Sequence, residues 1–162
     1  MNVIETIRAD FAEEMPSTRK GIERVPGDKG EWRPHPKSFP IGHLAQLVSG
    51  MPGWITNIAT QPKLDFLQTP GYSFENTDTL LEAFDKNVRE ATEALRAVRE
   101  SQLDDDWSLV RGENVIFTAK KGNMLRQTLR HLVHHRAQLT GYLRLLDLPV
   151  RSTYGPSADH KS

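Results

Sequence analysis

Between Gly122 and Leu146 the chain places leucines at 125, 129, 132, 139, 143 and 146, spaced by threes, fours or their sums, with no proline until Pro149. This is the period of one helix face. It predicts a long amphipathic helix that opens at Gly122 or Asn123 and is ended by Pro149. A helix with a single apolar stripe is not stable alone in water and must bury that stripe against neighbours. What the chain folds into is therefore set by the partners the rest of the sequence supplies.

Three partners are visible. Ile4, Ile7, Phe11 and Met15 recur at helical spacing and predict a first helix to about Ile22, broken by Pro26, Gly27 and Gly30. The run WRPHPKSFP is too rich in proline for an element and reads as an ordered connector. A second helix follows, with Ser38 as N-cap and Pro40 in its first turn. Its apolar face is Ile41, Leu44, Leu47, Val48 and Met51, and Pro52 is expected to kink it. Residues 61–73 hold Pro62, Pro70 and Gly71 and read as a long connection of the kind that often borders a site. Thr77 or Asp78 can cap a third helix, whose Leu80, Leu81, Phe84, Val88, Ala91, Leu95 and Val98 keep the period up to Arg99. WSLV and VIFTA, separated by RGEN, are short β-prone runs that predict a small hairpin before the last helix. The expected fold is all-α: a four-helix bundle with a long connection and a small β-hairpin, forming a single domain over residues 1–162.

Composition closes several routes. There is no cysteine, so disulfides and thiolate metal sites are excluded and any metal must take nitrogen or oxygen ligands. The N-terminus alternates apolar and charged residues and lacks the continuous apolar core of a signal peptide or membrane span, so the expectation is a cytoplasmic protein with no membrane partner. Lysine plus arginine balance aspartate plus glutamate at a formal net charge of zero, which argues against nucleic acid as a partner.

The histidines carry the chemistry. In H131-L-V-H-H135, His131 and His135 stand at i and i+4, one turn apart on one face, where two imidazoles can grip one ion. Thr128, His131, His135, Gln138 and Tyr142 form a stripe beside the leucines. Two histidines so spaced are also common as surface or satisfied core residues. His43, in the first turn of the second helix beside Leu44 and Leu47, supplies a candidate third ligand. Three neutral imidazoles leave an ion its full charge and an open coordination position, the arrangement of catalytic rather than structural sites. Leu132 stands where a metalloprotease helix needs a glutamate base, so that route is excluded. His35 and His134 lie off this face and His160 lies in the tail, so all three read as non-ligands. Trp32, Trp54 and Trp107 read as packing residues, with Trp54 able to line a pocket, and Arg136 reads as half of a structural ion pair.

The run HLVHHRAQLTGYLRLLDLPVRSTYGPSAD, together with GHLAQL around His43, resembles the DinB-like family, which is also grouped with YfiT-like proteins assigned as metal-dependent hydrolases. The resemblance spans nearly the whole chain and includes Arg136, Gln138 and the Tyr154-Gly155-Pro156-Ser157 signature. It implies a four-helix bundle, commonly a homodimer, that binds one divalent ion through His43, His131 and His135. Imidazole suits zinc, nickel, iron and copper, so zinc is the default and nickel or iron the alternatives. Members of the broader superfamily act as thiol-dependent transferases, in which the metal activates a low-molecular-weight thiol. The expected function is therefore a metal-dependent enzyme that activates such a thiol, as an S-transferase, or water, as a hydrolase, toward a small-molecule substrate. The competing expectation is a non-catalytic, stress-associated bundle in which the metal is structural.

Overall fold

The computed structural model describes residues 2–160. Four helices, α1 (Val3–Ile22), α2 (Ile41–Thr60), α3 (Thr77–Ala97) and α4 (Lys121–Leu145), bury their stripes in one core that runs from Ile4 and Phe11 through Met51, Ile55 and Phe84 to Leu125 and Leu139. Three strands join them: β1 (Lys63–Asp65), β2 (Asp106–Arg111) and β3 (Asn114–Lys120). Among the described residues no helix is long and apolar enough to cross a membrane.

The polar ends of the helices are closed by side chains from distant segments. Asn2 and Glu5 form a reciprocal capping box at the start of α1, and the Glu100 carboxylate accepts the next two N–H groups, from Val3 at 3.1 Å and Ile4 at 3.0 Å. Arg8 donates to the carbonyls of Leu95, Arg96 and Val98, closing the C-terminal end of α3 with a cation where the helix dipole favours one. The buried Lys121 ammonium reaches the Ala59 carbonyl at the end of α2 in the same way.

Two boundaries differ from the sequence expectation. Helix α2 begins at Ile41 rather than at Ser38, and no side chain caps it. The N–H groups of Ile41 and Gly42 donate instead to the carbonyls of Trp32 (2.8 Å) and Gly30 (2.9 Å), so the proline-rich connector supplies the cap with its own backbone. The cap of α3 is Asn76, whose side chain accepts from the Thr79 N–H, not Thr77 or Asp78. Both Pro16 and Pro52 lie inside helices that continue past them.

The expected hairpin is present as β2 and β3, joined at Gly112 with a φ of 61°. It is half of the picture: β1, within the stretch read as a plain connection, pairs parallel to β2 and makes a mixed three-stranded sheet of order β1-β2-β3. Asp65 ties this together. Its Oδ1 accepts from the N–H groups of Gly112 and Leu67, both at 3.0 Å, and these two bonds hold its carboxyl below the usual range. In register across the sheet, Leu64 faces Leu109 and Leu109 faces Phe117.

Candidate functional site

On α4 the i, i+4 spacing brings His131 and His135 together as expected, with their Nε2 atoms 2.8 Å apart. His135 Nδ1 lies 2.7 Å from Gln138 Oε1, one turn further on. Because that oxygen only accepts, the contact selects the tautomer of a neutral His135 with its proton on Nδ1, whose Nε2 lone pair then faces His131. His131 packs its ring 6.0 Å from that of Trp54 on α2. Burial against its surroundings, then the neighbouring His135 and His134, hold the His131 imidazole below its ordinary 6.5.

His43 is placed elsewhere. Its ring packs against Phe39 at 4.5 Å and stacks on Tyr72 at 4.8 Å, with an interplanar angle of 21°. Trp54, the neighbour of His131, follows His43 by three turns of α2, about 16 Å along the axis. Among the described residues no three histidine, aspartate or glutamate side chains are gathered to hold an ion together. The structure thus brings two of the three expected ligands together and stacks the third on aromatic rings.

Tyr72 is held over His43 by a docked loop. Its hydroxyl donates to Glu31 Oε1 at 2.9 Å, and burial followed by that carboxylate pushes its pKa up to about 12. Gln46 brackets the same loop, donating to the Gly71 carbonyl and accepting from the Ser73 N–H. Phe74 then fills a slot between Gly30 and Gly42, where a Cβ on either glycine would overlap its ring. Sequence reading missed Tyr72, Phe74 and this slot. The available signal was Gly30 and Gly42 at the two ends of the proline-rich connector, but nothing local says that an aromatic from the later loop enters between them.

The pair fits a cation in its donor chemistry. Two imidazole nitrogens on one tetrahedral zinc at about 2.0–2.1 Å stand about 3.3 Å apart, so about half an ångström separates the present spacing from a chelating one. The Gln138 contact is the outer-shell hydrogen bond that metal-binding histidines ordinarily have. The remaining histidines stay outside this arrangement. His35 Nδ1 accepts from the Lys37 N–H, His134 packs edge-on to His135, and His160 meets Ser152 in a tail tied down by Asp159 to Arg144 and the Val150 N–H.

One residue after His135, Arg136 points the opposite way. It is buried and donates to the Glu14 carboxylate at 2.5 Å, to the Glu14 carbonyl and Thr18 hydroxyl at 3.2 Å, and to the Tyr154 hydroxyl at 2.9 Å. Tyr154 in turn donates to Glu14, so Arg136 is the structural ion pair expected and the signature tyrosine is part of it.

His131 also lines a cavity of about 270 Å³ between the sheet and helices α2 and α4, and His43 lines a second, of about 390 Å³, beneath the Tyr72 loop. Trp54 borders both. Among the residues lining them there is no aspartate, glutamate, lysine or arginine.

The fold has solved counterparts. A DinB-like protein from Bacillus subtilis superposes with a TM-score of 0.69 at 18% identity, covering 89% of this chain and 96% of its own. One from Bacillus cereus matches equally, with a TM-score of 0.69 at 18% identity over 93% of this chain and 97% of its own. No functionally curated protein matches. The model of the DinB family matches residues 18–162, taking in the second, third and fourth helices, the sheet and all three candidate histidines, and the chain belongs to the DinB family.

Proposed function

We propose that this DinB-family protein binds one divalent metal ion, zinc by default with nickel or iron as alternatives, through His131 and His135 with His43 as third ligand, and works as a small-molecule transferase. The observation that supports this is the 2.8 Å approach of two imidazole nitrogens, with His135 oriented for it by Gln138. When bound, the ion supplies Lewis acidity that makes a thiol or water acidic enough to act as a nucleophile near neutral pH. His131 favours its neutral, ligating form because its surroundings disfavour the charged one. Phe39 and Tyr72 hold His43 apart from the pair, so its joining them requires a shift of the α2 segment and not only release of that stack. Transfer of a low-molecular-weight thiol is preferred over hydrolysis, because the walls beside the histidines offer no carboxylate to deprotonate water.

The test is elemental analysis of untagged protein beside the His43→Ala and His135→Ala variants. About one ion per chain, lost in both variants, supports the three-histidine reading; a native protein that refuses zinc and nickel removes it. Metal-loaded protein should then conjugate a bacterial low-molecular-weight thiol to an electrophile faster than His131→Ala does.

The same lack of an acid or base favours one second reading, a bundle that the ion braces without turnover. Under it, stripping the metal lowers the melting temperature by mass action while no thiol reacts.

A further inference from the structure

The cavity bounded by His131 is built from five elements, and its chemistry changes across it. The sheet side is a cross-strand row, Leu64, Leu109 and Phe117, set by the register of all three strands. Its deep wall is the buried Trp107, Ile58 and Met124, 3%, 1% and 7% exposed. At its mouth stand Phe66 and Phe117, left 56% and 39% exposed. Two polar groups of these walls are already committed: Trp107 Nε1 donates to Asn57 Oδ1 at 3.2 Å and the Thr69 hydroxyl to the Phe66 carbonyl at 2.7 Å. The opposite side is different. Gln127, Thr128 and His131, within one turn of α4, offer an amide, a hydroxyl and an imidazole in a short polar strip.

We propose that this cavity binds an uncharged aromatic molecule of about two fused rings, with one hydroxyl or carbonyl group turned toward Gln127, Thr128 and His131. Size sets the ring count: a cavity of about 150 Å³ holds benzene, and this one has about 270 Å³. Four aromatic side chains on the walls suit a flat π-face. The absence of lysine and arginine from the lining excludes an anion, and the absence of aspartate and glutamate excludes a cation, since either would lose its hydration without a partner. The aromatic walls, Gln127 and Thr128 need no metal to bind it; the assignment of this molecule as the transferase substrate rests on the function proposed above.

Calorimetric titration of the full-length protein, metal-loaded and chelator-stripped, with 2-naphthol and with 2-naphthoate tests this. One equivalent of 2-naphthol should bind both preparations, and 2-naphthoate should bind the chelator-stripped protein at least about tenfold more weakly than 2-naphthol does. Leu109→Trp, which fills the cavity from the sheet, should abolish binding, and Thr128→Val, which keeps the shape and removes the hydroxyl, should weaken it several-fold, with circular dichroism verifying the fold of each. Equal binding of naphthol and naphthoate, or naphthol binding unchanged in both variants, overturns the proposal. A protein that takes no metal yet binds naphthol overturns the transferase reading and leaves this one standing.

Discussion

Arg136 and His135 are adjacent on α4, yet they sit in polar sites of opposite kinds. Around Arg136, side chains from α1 and the tail satisfy the guanidinium: Glu14, Thr18 and Tyr154 all bond to it, and its side chain is 4% exposed. Around His135 the partners are another imidazole and one glutamine, all on α4, with solvent and a cavity beyond. A polar group that serves the fold is closed on all sides because burying it open is costly. The histidine pair keeps coordinating capacity in hand, and this is the property expected of a site that meets something from outside.

That contrast can be broken by mutation. Arg136→Ala should destabilise the protein by about 3–5 kcal/mol in chemical denaturation, because Glu14, 14% exposed, keeps a buried charge without its partner. A loss under 1 kcal/mol would place Arg136 with the histidines rather than with the core. Gln138→Leu should leave stability nearly unchanged and weaken zinc binding by about 10–100-fold in competition with a chelator, since it frees the His135 ring to turn. Tyr154→Phe removes a hydroxyl from the Arg136 network at a position 69% exposed, so a smaller cost of about 0.5–1 kcal/mol is expected.

The smallest effect sharpens the other side. The folded imidazole of His131 lies below its ordinary 6.5, so the unfolded chain takes up a proton first as the pH falls. Its contribution to stability is complete above 6.5 and declines as the pH drops below that value toward the lower folded one. Denaturation midpoints should therefore fall more steeply with acid in the native metal-free protein than in His131→Ala; identical slopes would show that the environment of His131 does not penalise its charge.

The comparison also explains what was readable. His131 and His135 were legible because an i, i+4 pair on a continuous helix is a local geometric fact, and the four helices were legible for the same reason: their stripes repeat within a few residues. Strand β1 was not. Three residues, Lys63-Leu64-Asp65, carry no period, and their pairing with Ser108, Leu109 and Val110 spans more than forty positions of sequence. The cap of α2 was misread at Ser38 because the groups that take its role are backbone carbonyls of Gly30 and Trp32, which no side-chain pattern announces. Arg136 was legible as an ion pair, but its partner on α1 was not.

By itself, then, the sequence determined the helical bundle, the hairpin and the facing histidine pair, since each follows from spacing along one continuous element. Tertiary structure alone decided that Phe74 enters the slot between Gly30 and Gly42, that Tyr72 stacks on His43 away from the pair, and that a third strand closes a cavity against α4. Those outcomes depend on which distant side chains fill a given space, and close packing between elements, unlike helical period, leaves no trace in the order of residues.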